Sequence, residues 1–406
     1  MNIFIKRTDL LSLLLLLIAV FAISCSALAQ IPLEQRLYRV VNLDGIGGMS
    51  SAGSGINNRG WITDNSDDAG DATQQAVIWN KGGAPQPLGT LGGPNSGIIF
   101  PVKDSRGIVS GITETAQINP LNEPWSCFAF FPTPTPTFNV CVGFAWENGV
   151  MRPLPVFPGG YNGFASGANN QGQIVGWAEN GVHDPTCTNF PGTDFAQVLQ
   201  FRAALWGPGE NDMKELPPLA GDSASAAVAI NDRGQVVGIS GDCGYAVGAF
   251  SAKHAVIWED GKPTSIGNLG GVAWNTPTAI NEQGVVVGFS NVNASDGAKF
   301  NEQAFIWTKD GGIKPLGTLP GDSRSQASSL NSRNQIVGVS RGPGGRRAVI
   351  WENGTVKDLN GMIAPGFGYA DHLLFANDIN DKGEITGVAV RSTGERFAFL
   401  AVPVQK

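Results

Sequence analysis

Ala279 to Ser290 reads AINEQGVVVGFS, and further copies of this pattern recur along the chain. The copies are GINNRGWITDNS from Gly55, VKDSRGIVSGIT from Val102, ANNQGQIVGWAE from Ala168, AINDRGQVVGIS from Ala229, SLNSRNQIVGVS from Ser329 and DINDKGEITGVA from Asp378. A period of roughly fifty residues is typical of folds in which one small unit is stacked many times. The pattern therefore predicts a repeat architecture.

Each copy has the composition of a strand, a tight turn and a second strand, and the seven copies are numbered here as repeats 1 to 7 in chain order. An Asn side chain bonds its own backbone two residues on, and Gly adopts positive φ without steric cost, so Asn-x-x-Gly predicts a hairpin. The β-branched residues after the turn, such as Val236 and Val237, predict a buried strand. The turn pairs are Asn57 and Gly60, Asp104 and Gly107, Asn169 and Gly172, Asn231 and Gly234, Asn281 and Gly284, Asn331 and Asn334, and Asn380 and Gly383.

Two further elements separate one hairpin from the next. The first is an apolar strand that ends in Trp, as in AVIW at Ala76, AALW at Ala203 and AVIW at Ala255. The second is a Leu-Gly-x-Leu phrase, as in LGTLGG at Leu88 and LGTLPG at Leu316. Each repeat therefore contains four short predicted strands, with the strand before the turn innermost and the Leu-Gly strand outermost.

The two ends of the chain carry complementary parts of a repeat. The last repeat has its hairpin and the strand from Phe397, but its fourth strand is missing. A strand of the missing type occurs at Tyr38 to Asp44. Pairing of the two ends is the usual closure of a β-propeller. The sequence thus predicts an all-β, seven-bladed β-propeller with four-stranded blades, formed by residues 30–406 as a single domain.

Four insertions interrupt the regular spacing, at residues 116–142, 180–201, 242–253 and 291–302. All follow the second strand of a repeat, so alternating strand direction places them on one rim, which is the expected functional face. The first insertion carries the aromatic residues Trp125, Phe128, Phe130 and Phe131. Exposed aromatic side chains there would bind a glycan or a protein, whereas buried ones would pack the insertion onto the blades.

The N-terminal residues 1–29 have the features of a secretory signal peptide. Lys6 and Arg7 precede an apolar run, and Ala27-Leu28-Ala29 matches a signal peptidase site. The alternatives are an uncleaved membrane anchor, for which the run is short, and lipid attachment at Cys25. We therefore expect a bacterial protein that is secreted, periplasmic or on the cell surface, without membrane insertion after signal removal.

Charge and cysteine content limit the classes of partner. The formal net charge is −7, and no basic run occurs, which argues against nucleic acid and anionic membranes. Apart from Cys25, four cysteines remain, and an even number in an exported chain favours disulfides. Three pairings are possible, of which we predict Cys127 with Cys141 and Cys187 with Cys243.

Few residues of this sequence match a catalytic or metal-binding motif, and no catalytic residue is predicted. The three histidines lack metal-ligand spacing, and no nucleophile elbow or phosphate-binding loop is recognisable. One weak calcium site is predicted from alternating oxygen side chains in a Gly-containing loop, at Asp64, Ser66, Asp68 and Asp71. A solvated turn is the alternative interpretation, and no other cofactor is expected.

The order of the phrases resembles the bacterial HAF-repeat family of extracellular repeat proteins. The resemblance rests on His254-Ala-Val-Ile-Trp and Gln303-Ala-Phe-Ile-Trp, each followed by the Leu-Gly and Asn-turn phrases, and it covers nearly the whole predicted mature chain. Repeat 1 departs from it, because Trp61 to Asp64 replaces Val-Val-Gly, and repeat 2 has Lys103-Asp104 in place of Ile-Asn. The resemblance implies export and a repeat scaffold, and it brings no catalytic motif.

Three functions remain open at this point. The favoured one is a non-catalytic scaffold that binds an unknown protein or glycan through the rim that carries the insertions. The second is an extracellular enzyme that acts on polysaccharide with paired carboxylates at the central opening, a pairing that depends on distances in space. The third is a structural or adhesive surface component.

Overall fold

A computed structural model describes residues 36–404, except for residues 102, 132–136, 190–196, 210–211, 245–247, 293–299 and 367–370. The predicted signal segment 1–29, with Cys25, lies outside the described residues. Among the described residues, no helix has both the length and the apolar composition needed to span a membrane.

The chain is an all-β protein, as predicted. Its first six strands are β1 (Leu37–Asn42), β2 (Gly47–Ser51), β3 (Gly55–Ile56), β4 (Trp61–Asp68), β5 (Gln74–Asn80) and β6 (Pro85–Pro87). The helices described are short: α1 (Trp125–Phe130) in the first insertion and a 3₁₀ helix (Leu359–Met362). Beyond Pro87 the strands form four-stranded sheets that follow one another along the chain.

Repeats 2 to 6 each form one four-stranded antiparallel sheet. The strands of repeats 2 and 3 are β7 (Gly92–Gly97), β8 (Val109–Ile118), β9 (Asn139–Glu147), β10 (Val150–Pro153), β11 (Gly163–Ala168), β12 (Ile174–His183), β13 (Leu199–Trp206) and β14 (Met213–Leu216). Those of repeats 4 to 6 are β15 (Ala224–Ile230), β16 (Val236–Gly241), β17 (His254–Glu259), β18 (Lys262–Gly267), β19 (Asn275–Ile280), β20 (Val286–Asn291), β21 (Glu302–Thr308), β22 (Gly312–Pro315), β23 (Arg324–Leu330), β24 (Ile336–Gly342), β25 (Gly345–Glu352) and β26 (Thr355–Asp358).

The remaining sheet has nine strands and joins the two ends of the described chain. Repeat 7 supplies β27 (His372–Ile379), β28 (Ile385–Val390) and β29 (Arg396–Val404). β1 runs antiparallel to β29, from Leu37 opposite Val404 to Asn42 opposite Phe399. β2 contacts β29 on one side and β4 on the other, which links repeat 7 to repeat 1.

The glycine of the second strand is required by a close approach of two backbones. A Cβ atom at Gly238 would lie 2.0 Å from the carbonyl oxygen of Ala226, and one at Gly387 would lie 1.9 Å from that of Phe375. In both sheets the first strand is bulged near this contact. Bulging pushes the neighbouring carbonyl towards the second strand, and only Gly leaves room for it.

The tryptophans of the third strand join consecutive repeats. Trp79, Trp258 and Trp351 are buried, and each indole N–H donates to a carbonyl in the Leu-Gly phrase region of the preceding unit. Trp79 donates to Asp44 at 2.8 Å and Trp258 to Pro217 at 2.7 Å. The core therefore lies between the sheets and is continuous from repeat to repeat.

In repeats 1 and 5 the Leu-Gly phrase follows the fourth strand instead of forming it, contrary to the sequence-based expectation, whereas in repeat 4 β18 includes Ile266 and Gly267 of the phrase. β22 ends at Pro315 and β6 ends at Pro87, one residue before the phrase in each case. The phrase turns because its glycine has positive φ, at 80° for Gly317 and 82° for Gly89. Left-handed backbone is readily adopted by Gly and ends a strand.

Candidate functional site

The Asn-x-x-Gly turns lie together at one end of the sheets, named here the turn end. In repeat 4, the Asn231 Oδ1 atom accepts the backbone N–H of Arg233 at 3.1 Å and that of Gln235 at 3.0 Å. Gly234 has a φ of 75°, and Asn334, which replaces Gly in repeat 6, has a φ of 58°. Each such turn is therefore stabilised by the side chain of its own asparagine.

The side-chain amides of these turns also connect one repeat to the next. In six repeats the Asn Nδ2 group donates to the backbone carbonyl of the following turn at 2.9–3.2 Å. The donor and acceptor pairs are Asn57 to Asp104, Asn169 to Asn231, Asn231 to Asn281, Asn281 to Asn331, Asn331 to Asn380, and Asn380 to Asn57. The link from repeat 2 to repeat 3 breaks this series.

The break occurs at Asp104, which replaces the asparagine of repeat 2. Its Oδ1 atom accepts three backbone N–H groups, including that of Gly107 at 2.7 Å, whereas each turn asparagine accepts two. Its Oδ2 atom is buried and has no hydrogen-bond partner among the described residues. A carboxylate oxygen accepts only, so Asp104 has no N–H to offer the next carbonyl.

A cavity of about 240 Å³ opens at the centre of these turns. Its mouth carries the carboxylates of Asp232, Glu282 and Asp381, the residues that follow the turn asparagines. Burial raises the pKa of Glu282, and the negative charge of Asp232 adds to that rise. For Asp381, hydrogen bonds from Ser332 and Asn58 outweigh burial and hold its pKa below the usual value.

Lys103 also lines this cavity, at a position where six repeats have an aliphatic residue. Its ammonium group forms an ion pair with Asp378 and donates to the carbonyl of Ile379 at 2.8 Å. Asp378 is fully buried, and it also accepts the backbone N–H of Ile56 at 2.7 Å. The cation in the opening is therefore neutralised by repeat 7.

The insertions lie at the opposite end of the sheets, named here the insertion end. Two disulfides link Cys127 to Cys141 and Cys187 to Cys243, which confirms the predicted pairing. The first disulfide closes the insertion of repeat 2, and the second joins the insertions of repeats 3 and 4. Glu123 then connects repeats 2 and 3, because its carboxylate accepts the backbone N–H of Leu199 at 3.0 Å.

Beneath the insertions two buried glutamates interact. Burial raises the pKa of Glu179 to about 8, and the charge of Glu123 contributes to the rise. The pKa of Glu123 is also raised by burial, although hydrogen bonds from Val198 and Leu199 oppose it. Sequence inspection missed this pair, since the two residues are far apart in the chain and Glu179, although it ends the repeat phrase from Ala168, has no recurring role there.

Two aromatic residues of the first insertion, Phe130 and Phe131, pack against the protein instead of contributing to an exposed platform. Phe131 is buried, and the ring of Phe130 lies 4.7 Å from that of Phe164 and 6.5 Å from that of Trp177. Phe128 is half-buried, and Trp125 is the first residue of α1. The packing alternative therefore describes Phe130, whose ring lies against Phe164 and Trp177 of repeat 3, and Phe131, which is buried.

Large apolar side chains are nevertheless exposed at the insertion end. Five of them are between 46% and 63% exposed: Met49, Ile118, Val182, Phe250 and Val272. Ile118 and Val182 lie at the ends of second strands, Phe250 and Val272 lie in loops, and Met49 lies on β2, which pairs with the end of β4. Only Val41 and Val150 are comparably exposed elsewhere in the described chain.

The loop assumed for the calcium hypothesis is a strand. Asp64, Ser66 and Asp68 lie on β4, whose extended backbone separates alternate residues instead of wrapping them around an ion. Asp64 is buried and accepts the Ser54 hydroxyl at 2.7 Å, and burial raises its pKa well above the usual value. Asp71 lies just beyond the strand and accepts the backbone N–H of Met49 at 2.6 Å.

Two clusters of metal-ligating residue types occur within the described chain, and both contain disulfide sulfurs. Glu114 lies beside Cys127 and Cys141, and Asp184 lies beside Cys187 and Cys243. A metal-binding cysteine must be a thiolate, which a disulfide sulfur is not. These clusters are therefore structural.

Comparison with known proteins found one family model that matches part of the chain and several similar solved structures. A family model described as "Protein of unknown function (DUF3466)" matches residues 220–397, and no curated protein matches. The β-propeller domain of the Trilobed protease from Pyrococcus furiosus is 10% identical, with 91% of this chain and 95% of that chain covered and a TM-score of 0.48. Virginiamycin B lyase from Staphylococcus aureus is 12% identical, with 90% and 100% covered and a TM-score of 0.48. A protein of unknown function from Dyadobacter fermentans is 12% identical, with 91% and 98% covered and a TM-score of 0.42.

Proposed function

We propose that the chain is an exported, non-catalytic scaffold, a seven-bladed β-propeller that binds a protein partner through its insertion end. The blade count follows from counting β1 with β27–β29 and β3 with β4–β6, beside the five separate sheets. Ring closure is supported by the pairing of β1 with β29 and by the hydrogen bond from Asn380 to Asn57 at 3.1 Å. Export is supported by the two disulfides, which persist in oxidising compartments.

The observation that carries the binding function is the concentration of exposed apolar side chains at the insertion end. Exposed apolar side chains gathered on one face often mark an interaction site, and five of the seven large ones in the described chain lie at this end. The insertions beneath these side chains are held by disulfides and by Glu123, so their arrangement is set before a partner arrives. Preorganisation lowers the entropic cost of binding.

A protein partner fits this surface better than a glycan does. Met49, Ile118, Val182 and Val272 are aliphatic, and Phe250 is the one aromatic residue among the five. Sugars are typically held by aromatic faces and by directed polar groups, whereas aliphatic clusters are complementary to apolar protein surface.

The central opening supports a second candidate, an enzyme that acts on polysaccharide. Asp232 and Glu282 lie in the same cavity mouth, and the raised pKa of Glu282 is a property of a general acid. Each carboxylate is, however, already engaged in the turns: Asp232 accepts from Asn170 at 2.7 Å, and Glu282 accepts from Asp232 at 3.0 Å. A structural explanation therefore accounts for both residues.

The test compares the wild type with one triple and one double variant, all in the chain from Gln30. In the first, Ile118→Ser, Val182→Ser and Phe250→Ser remove apolar groups from the insertion end; in the matched control, Val41→Ser and Val150→Ser remove exposed valines elsewhere. Partners in the producer's exported proteins are identified by cross-linking and mass spectrometry, and the affinity of the purified partner is then measured by calorimetry.

Each truncation at the interface should cost about 1–3 kcal/mol of binding free energy. The triple variant should therefore bind more than tenfold more weakly, while the control keeps wild-type affinity. Equal affinity of all three proteins would contradict the proposal. Release of shortened sugars from polysaccharide, abolished by Glu282→Gln, would favour the enzyme instead.

A further inference from the structure

A row of three arginines crosses the insertion end of repeat 6. Arg324 begins β23, Arg341 is near the end of β24, and Arg346 is near the start of β25. The register places Arg324 opposite Arg341 and Arg341 opposite Arg346. Directly opposed residues share one face of a sheet, so the three side chains stand side by side at the strand spacing of about 4.8 Å.

This arrangement is unfavourable in the protein alone, because like charges directly opposite each other destabilise a sheet. The adjacent Arg347 shows the ordinary solution, since it forms an ion pair with Asp322 at 2.8 Å. Within the described chain no carboxylate lies within ion-pair distance of Arg324, Arg341 or Arg346. Glu302 is in electrostatic contact with Arg324 and Arg341; burial raises its pKa, although both arginines oppose this rise.

The row is also open to solvent. Arg341 and Arg346 are exposed, and the connection between their strands is the short turn around Pro343. The insertions belong to repeats 2 to 5, and within the part of the chain that the structure describes Arg324 is half-buried while Arg341 and Arg346 remain exposed. A local arrangement that costs stability and remains uncovered is typical of a functional site.

Repeat 7 extends the positive surface at the same end. Arg396 begins β29 and is exposed, and it lies in the row that runs through Val390 to His372. The guanidinium carbon of Arg346 lies 5.1 Å from the ring centre of Phe375 in repeat 7, which holds this arginine between the two repeats. Four arginines on two neighbouring sheets thus face the same side of a chain whose net charge is −7.

We propose that Arg324, Arg341, Arg346 and Arg396 form a binding site for an acidic polysaccharide. A guanidinium presents a planar fork that matches a carboxylate or sulfate group in two hydrogen bonds. A row of several such forks requires several anionic groups in line, which a polymer of acidic sugars supplies and a single small anion does not.

The experiment uses the folded chain from Gln30 and three probes: oligogalacturonate, a neutral dextran oligosaccharide of equal length, and single-stranded DNA. Affinity is measured by calorimetry at low and moderate salt for the wild type, for Arg341→Gln with Arg346→Gln, and for a charge-matched control. The control is Arg59→Gln with Arg233→Gln, which removes two exposed arginines from the turn end.

We expect oligogalacturonate to bind the wild type and the control equally, and the Arg341/Arg346 variant at least tenfold more weakly. We also expect this variant to melt at a higher temperature than the wild type without ligand, because the like-charge repulsion is relieved. Absence of oligogalacturonate binding, equal weakening in both variants, or equally tight binding of DNA would overturn the proposal. Variants of Ile118, Val182 and Phe250 should leave this binding unchanged, so the site is separable from the protein-binding surface.

Discussion

Asp104→Asn should stabilise the protein, which is unusual for a substitution at a buried position. Repeat 2 is the place where the series of inter-repeat hydrogen bonds from the turn asparagines is broken. The substitution keeps the Oδ1 atom that holds the turn, and it replaces the unpartnered Oδ2 atom with an N–H donor. By analogy with the other turns, this donor would reach the carbonyl of Asn169.

The expected change in the free energy of unfolding is the sum of two gains and one loss. A new hydrogen bond of the 2.9–3.2 Å type found in the other repeats contributes about 0.5–1.5 kcal/mol net. Relief of a buried polar atom without a partner contributes about 1 kcal/mol more, and the loss of charge on Oδ1 weakens its three hydrogen bonds and offsets part of the gain. We expect the free energy of unfolding to rise by about 1–2 kcal/mol.

Equilibrium unfolding in urea at pH 7 measures this change, with the transition of the wild type as reference. The matched control is Asn57→Asp, which creates the same defect in repeat 1 and should lower the free energy of unfolding by about 1–3 kcal/mol. If Asp104→Asn left stability unchanged or reduced it while Asn57→Asp was strongly destabilising, the analogy between the turns would be refuted.

Two further predictions concern carboxylates. Because the folded pKa of Glu179 is about 8 and its ordinary value is 4.5, the folded state keeps a proton that the unfolded state releases, so stability falls as pH rises from about 4.5 to about 8. Glu179→Gln should remove this part of the pH dependence in urea titrations at pH 5, 6.5 and 8.5, and identical slopes would contradict the buried pair as its source. The calcium hypothesis predicts that millimolar Ca²⁺ raises the melting temperature of the wild type and not that of Asp68→Asn. An unchanged wild-type curve would leave Asp64 and Asp68 as ordinary strand residues.

Features that depend on neighbouring residues could be read from the sequence. The turn chemistry of Asn231 and Gly234 is local, and period-two strands between such turns give an all-β fold. The pairing of Cys187 with Cys243 was also predicted, from the observation that all four cysteines beyond Cys25 lie in insertions between the repeat elements.

Features that depend on register between distant strands could not be read in this way. Arg324, Arg341 and Arg346 show no basic run in the sequence, and they become a charged row only when three strands align. For the same reason the sequence could not show that Phe130 turns towards Phe164. Strand register and loop direction are set by the packing of the whole sheet, and one-dimensional spacing does not contain them.

In a chain of near-identical units, the departures from the repeat are the most informative residues. Lys103 and Asp378 each break the pattern of aliphatic and small residues in their repeats, yet the ion pair between them joins repeat 2 to repeat 7. Removal of Lys103 would leave the fully buried carboxylate of Asp378 without its cation, which typically costs about 3–5 kcal/mol. Two departures that compensate each other are therefore parts of the structure, whereas Asp104 and the arginine row have no such compensation within the described chain. The Lys103–Asp378 pair therefore contributes to stability, whereas the arginine row indicates a site for an external ligand.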